Sequence, residues 1–206
     1  MNITIVICGI TAITSFLAFS NHTLFDELIF WPYRIWRNNE WHRLVSSGFI
    51  HADLGHLIFN MFALYTFGSY VVEPAFAAEF GGKGLSMYVI MYFAAIAVAD
   101  VYHLFTQKDN YMYRALGASG GVSAVIFASI LFNPFGKIGI MFIPVGIPAY
   151  IFGPLYLLYC TYAARRNNDN VGHTAHFTGS IFGFIFPLIF EPSLLPHFIS
   201  VLRRGI

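Results

Sequence analysis

The chain has 206 residues, 57% of them hydrophobic and only 10% charged, with a formal net charge of +1. A soluble domain carries about 25% charged residues, so a soluble fold of this size cannot hide so much apolar surface, and a membrane protein is the reading that remains. The small net charge and the lack of a basic stripe exclude a nucleic-acid partner.

In chain order, the first apolar run, Ile3 to Phe19, has no basic flank before it and no A-x-A-like site after it. It reads as a mature spanning helix rather than a signal peptide. Cys8, within it, and Cys160 both read as small packing residues. The connection 20–53 is rich in Trp, Tyr and Arg, which suits a loop at the membrane–water interface. Further spans are predicted over roughly 54–72, 84–105, 119–133, 138–164 and 172–190, with the first at 2–19. Each approaches the length needed for a hydrocarbon core about 30 Å thick. The fourth ends before Asn133-Pro134, and the fifth carries Pro144, Pro148 and Pro154, which predict a kinked or tilted helix. The expectation is one all-α domain, residues 1–206, with six spans and both termini on one side. Four Lys and Arg fall on that side and seven on the other, a count that disfavours cytosolic termini.

Polar groups inside spans are costly and point to function. His56, Asn60, Ser119 and His176 lie on the second, fourth and sixth spans, which run parallel. Counted to the far end of each helix at 1.5 Å per residue, Ser119, His176 and Asn60 sit at about 20–22 Å and His56 one turn higher, at about 25 Å. They share one level, and a fourth span that begins at Ser119 leaves a cavity above it, since lipid does not tolerate irregular backbone. Gly117, Gly120 and Gly121 permit close backbone approach, and Gly179 and Gly183 form a GxxxG face one turn below His176. Helices packed on those faces bring a hydroxyl and an imidazole together, the arrangement of an activated nucleophile. The Ser119 N–H, His56 and Asn60 are candidate donors to an oxyanion. Taken singly, each has a plain alternative: Ser119 as a helix cap, the glycines as packing, His176 as a core histidine, Asn60 as interhelical glue. His173 receives no role. His51, Asp53, His56, His173 and His176 are metal-ligating types, but there is no HExxH, so no metal and no cofactor are expected.

These residues resemble a family, the rhomboid intramembrane serine proteases. HADLGHLIFNM (51–61) resembles its second-helix motif, GASG (117–120) its GxSG nucleophile motif and AHFTGSIFG (175–183) its AHxxGxxxG motif. The resemblance implies a Ser119–His176 dyad without a catalytic aspartate. It also implies oxyanion stabilisation by His56 and Asn60 and a structural hydrogen-bonding role for His51. It further implies six helices with cytosolic termini, against the charge count, and a cap over the cavity formed by RRNNDNVGHTA (165–175). Trp41 is displaced by one residue from the family's Trp-Arg pair, while Arg43 keeps its distance to His51. Ser123 stands where some members carry a tyrosine that stacks on the histidine, so another group must fix the His176 ring.

The expected activity is a serine endopeptidase that cuts in or near transmembrane segments of membrane proteins, its partners being those substrates and the lipid bilayer. The alternatives are an inactive relative that binds or sorts membrane clients, and a transporter with a polar pocket. With no transit peptide visible, a bacterial plasma membrane is the expected location.

Overall fold

The computed structural model describes residues 2–139, 146–166 and 171–205. Helix α1 (Ile3–Ser20) starts at Asn2, whose side chain accepts from the Ile5 N–H. The connection that follows is folded rather than a plain interfacial loop. It contains α2 (His22–Leu28), α3 (Pro32–Asn38), α4 (Arg43–Ser46) and a 3₁₀ turn at Ser47–Phe49.

Helix α5 (Leu54–Ala63) continues as a π-helical segment, Leu64–Val72, and then as α6 (Glu73–Phe80). At Gly81 φ is +54, a conformation that L side chains rarely adopt. The chain turns there through a 3₁₀ segment, Gly81–Lys83, and α7 (Gly84–Ala99) packs against α6. A side chain at Gly84 would strike the Phe76 carbonyl, so the turn stays tight. After α8 (Val101–Thr106) and a connecting loop comes α9 (Ser119–Phe132).

The fifth predicted span, 138–164, requires correction. Its first part is an antiparallel pair, β1 (Lys137–Gly139) with β2 (Gly146–Pro148), registered Lys137 on Pro148 and Gly139 on Gly146. The helix there, α10 (Ala149–Arg166), begins only at Ala149. An apolar run with Gly and Pro is as compatible with strand as with helix. Pro148 precedes the helix and only Pro154 lies inside it, while Pro144 falls outside the described residues. Helix α11 (His173–Phe190) follows, and an amphipathic α12 (Leu194–Gly205), not anticipated from sequence, ends the fold.

Three helical stretches are long and apolar enough to cross a membrane: Ile3–Ser20, the turn-containing Leu54–Thr106 and His173–Phe190. Ser119–Phe132 is apolar but shorter. Large apolar side chains face outward, among them Ile13, Phe62, Leu158 and Ile189, each at least 64% exposed. Such a surface is stable against lipid and not against water.

Helix α9 is the axis of the bundle. From Gly120 to Leu131 every residue but Ile126 is buried, enclosed by α7, α11 and the π-helical segment. Val122, Val125 and Ala128 of α9 join Leu64, Tyr88, Tyr92 and Phe186 in the main core. At the opposite end from the site, Glu73 accepts hydrogen bonds from the Ile3 and Thr4 N–H groups at 3.0 Å. It also accepts from the Thr4 hydroxyl, which leaves Tyr88 to donate to Thr4.

Candidate active site

The 20–53 connection fixes the backbone that leads into Ser119. Arg43, 1% exposed, holds it together: its Nε donates to Glu40 at 2.5 Å, and one terminal nitrogen donates to the carbonyls of Asp26 at 2.6 Å and Ile29 at 2.9 Å. Glu40 also accepts from Arg34 and Asn38. Burial pushes the Glu40 carboxyl up, but the bonds from Arg43, Asn38 and Arg34 outweigh it and hold it below the usual carboxylate range. Trp41 packs edge-on against Trp36, whose indole donates to the Leu104 carbonyl. Phe30 and Ala115 exchange backbone hydrogen bonds of 3.0 and 3.1 Å, and the Gly117 N–H donates to the Ser47 carbonyl at 2.9 Å. The connection thereby clamps the approach to α9.

His51 completes the clamp. The Ser15 hydroxyl donates its proton to the Phe49 carbonyl, so it can only accept from His51 Nδ1 at 2.9 Å. That fixes the neutral tautomer, and Nε2 then accepts the Ala118 N–H at 3.4 Å, one residue before Ser119. Burial, reinforced by His56 and opposed by Asp53, lowers the His51 pKa from 6.5 to about 3. The ring is neutral at any physiological pH.

Ser119 is the first residue of α9, behind a cap residue, Ala118, that offers no side-chain bond. Its N–H is therefore among the four that a helix N-terminus leaves without an intrahelical acceptor. Gly117, two residues earlier, has φ +114, and a Cβ there would come within 2.7 Å of the His56 ring. The absent side chain is what lets the imidazole reach the backbone beside Ser119. Asp53 caps α5 by accepting the His56 N–H at 2.8 Å. Asn60, one turn below, donates one amide proton to the His56 carbonyl at 3.2 Å. Its second amide proton is left for another acceptor.

Helix α11 approaches α9 through Gly179 and Gly183, where side chains would strike the backbones of Gly120 and Ala124 respectively. The glycines of α9 serve a different neighbour. A side chain at Gly120 would meet Ala99, and one at Gly121 would meet Ile96 and Tyr92, all on α7. Helix α9 is thus gripped from two sides, and α11 carries His176 down beside its N-terminus.

Ser119, His176, His56 and Asn60 all line one cavity of about 1040 Å³. Asp100 and His103 line it too. His51 does not; it acts from behind the wall. The cap expected over 165–175 lies in part outside the described residues, though Val171 to Ala175 border the cavity. His173 stands edge-on to the His176 ring at 6.1 Å between centroids, and Tyr156 of α10 stacks on it at 6.5 Å between centroids and 17° between planes. Its hydroxyl is hydrogen-bonded to Ser123 and to Cys160. Sequence reading missed Tyr156, which sits among Tyr150, Tyr159 and Tyr162 with nothing in the pattern to single it out.

The model of the Rhomboid domain matches residues 38–193, most of this chain. The chain belongs to the rhomboid family. It is similar to RHOMBOID-like protein 12, mitochondrial, of Arabidopsis thaliana, with 30% identity over 68% of this chain and 43% of that protein. It is also similar to Presenilin-associated rhomboid-like protein A, mitochondrial, of Danio rerio, with 32% identity over 50% of this chain and 25% of the relative. A third similarity is to Presenilin-associated rhomboid-like protein, mitochondrial, of Mus musculus, with 27% identity over 68% of this chain and 36% of that protein. The chain thus spans less than half the length of the curated relatives it matches. These relatives are mitochondrial proteins, which overturns the bacterial plasma membrane expected above. That expectation rested on the lack of a visible transit peptide, which carries no weight for a chain spanning only part of its relatives.

Proposed function

We propose that the protein is an intramembrane serine endopeptidase acting on membrane proteins with transmembrane segments. The observation that carries this reading is the shared cavity of Ser119, His176, His56 and Asn60, on helices that glycines let pack closely. A chain of six spans, the fifth formed by α10 and the fourth shortened to α9, is the topology that goes with it.

The chemistry follows from the groups. His176 takes the Ser119 proton as Oγ attacks the scissile carbonyl carbon. The tetrahedral oxyanion accepts hydrogen bonds from the Ser119 N–H, His56 and the second Asn60 amide proton. Protonated His176 gives its proton to the leaving amine, and the peptide C–N bond breaks. Water held in the cavity, activated in turn by His176, hydrolyses the ester on Ser119. Cleavage needs an extended strand at the nucleophile, so substrates with Gly or Pro near the cut are favoured over uninterrupted helices.

The test is reconstitution in proteoliposomes with a tagged single-span substrate. Cleavage that disappears in Ser119→Ala and in His176→Ala supports the reading. A folded wild-type protein that binds membrane clients and cuts none favours the non-catalytic alternative.

A further inference from the structure

Beside the His176 imidazole stand two metal-ligating groups, Cys160 and His173, that the protease reading does not use. Cys160 of α10 and His173 and His176 of α11 each present one ligand atom, and these atoms all lie within 4.8 Å of one another. Cys160 is fully buried and His173 is 4% exposed. The two histidines are three residues apart, which puts them on one face of α11, and the thiol meets that face from the opposing helix. We infer that Cys160, His173 and His176 form a binding site for a thiophilic divalent metal, zinc foremost, and that its occupancy switches the enzyme off; the inhibitory part rests on the protease reading above.

A thiolate with two imidazoles suits zinc, copper or iron and does not suit calcium or magnesium. Zinc–nitrogen bonds of 2.0–2.1 Å and zinc–sulfur bonds of 2.3 Å put tetrahedral donors about 3.3–3.6 Å apart. The three atoms need to close by about 1 Å, within the reach of side-chain rotation across one helix pair. Three protein ligands leave a fourth position, and His173 and His176 border the cavity, which supplies water for it and a route of entry. The outer sphere is in place: the Tyr156 hydroxyl is hydrogen-bonded to Cys160, and the Tyr159 ring stands edge-on to His173 at 5.5 Å. Such partners orient ligands and raise metal affinity.

The consequence comes from the identity of one ligand. A metal on His176 occupies the lone pair that would accept the Ser119 proton, so metal binding and proton transfer exclude each other. On binding, the Cys160 thiol releases its proton to the cavity water, and the site therefore tightens as pH rises. No bond to the metal changes the oxidation state of either partner.

The experiment uses the full chain, purified in detergent and freed of metal with chelator. Zinc is titrated while Ser119 is labelled with a fluorophosphonate, and cobalt binding is followed separately by its absorption bands. Zinc is expected to suppress labelling at least tenfold, with chelator restoring it. Cobalt is expected to give tetrahedral d–d bands and a thiolate charge-transfer band. Cys160→Ser keeps the volume and a partner for Tyr156; it should abolish the charge-transfer band. It should also raise the inhibitory zinc concentration, measured against its own metal-free rate, by at least about tenfold, the lower bound for loss of even an outer-sphere partner. His173→Gln should raise it likewise. Labelling that zinc leaves unchanged, with no cobalt bands, overturns the site. Suppression that neither substitution shifts marks adventitious zinc and also overturns it. Absence of labelling in metal-free wild type overturns the protease reading instead, and the cobalt bands then decide the metal site alone.

Discussion

Tyr156 lies against the His176 imidazole with planes 17° apart, and it comes from α10 rather than from the helix that carries Ser119. The ring that stacks on His176 and the hydroxyl of Ser119 are thus on different helices. An aromatic pair is worth about 0.5–1.5 kcal/mol. Tyr156→Leu is expected to lower kcat about two- to tenfold, with KM nearly unchanged, and to shift the acidic limb of the pH–rate profile. Tyr156→Phe keeps the stack and restores most of kcat. Steady-state kinetics on the reconstituted protein checks both.

His51 is buried and neutral, with its pKa lowered from 6.5 to about 3. A depressed histidine favours the fold where it is neutral. Its contribution is complete above about pH 6.5, where the unfolded chain is also deprotonated, and is lost progressively as pH falls toward about 3. Thermal melts between pH 8 and 4 are expected to show a downward trend in wild type that is shallower in His51→Asn. His51→Asn should also weaken catalysis, because the Ala118 N–H loses its acceptor.

Gly179 and Gly183 touch backbone, not flexible side chains, so nothing nearby can yield to a new methyl group. Gly179→Ala and Gly183→Ala are each expected to force α11 away from α9. Overpacking of this kind costs about 1–3 kcal/mol. Melting temperature in detergent should fall, and activity should fall with it. Gly117→Ala is a different case. Its φ of +114 and the nearby His56 ring predict loss of activity larger than the loss of stability.

Arg43 is charged and buried, with donors committed to Glu40, Asp26 and Ile29. Removing one partner of a buried pair costs about 3–5 kcal/mol. Arg43→Ala is expected to unfold the 20–53 connection, read as protease sensitivity there. Arg43→Lys, a point charge that cannot reproduce the forked geometry, recovers only part of the loss.

Much of this site is legible in the amino-acid sequence because a membrane makes polar groups conspicuous. Ser119, His176, His56 and Asn60 stand out in apolar helices, and helix rise alone places them at one depth. Tyr156 and Cys160 do not stand out. Both are ordinary in an apolar run, and their relation to His176 exists only across the contact of two helices. The strand pair before α10 was obscured by the apolar Ile138–Ile151 stretch, whose composition does not distinguish strand from helix. Helix α12 is too short and too polar at its Arg203–Arg204 end to register as a span, so a reading built on spans passes over it. The Gly120 backbone meets Gly179 of α11, as the small faces of the two helices suggest, but the Cβ positions of Gly120 and Gly121 face α7 and that of Gly117 faces His56, because periodicity reports a small face without naming everything that lies against it.

The most direct measurement of the central claim is fluorophosphonate labelling of the intact, membrane-embedded protein, mapped to a residue by mass spectrometry. A single adduct on Ser119, absent in His176→Ala although the protein remains folded, is the predicted result. An unlabelled Ser119, or labelling that persists undiminished without the His176 imidazole, would contradict it.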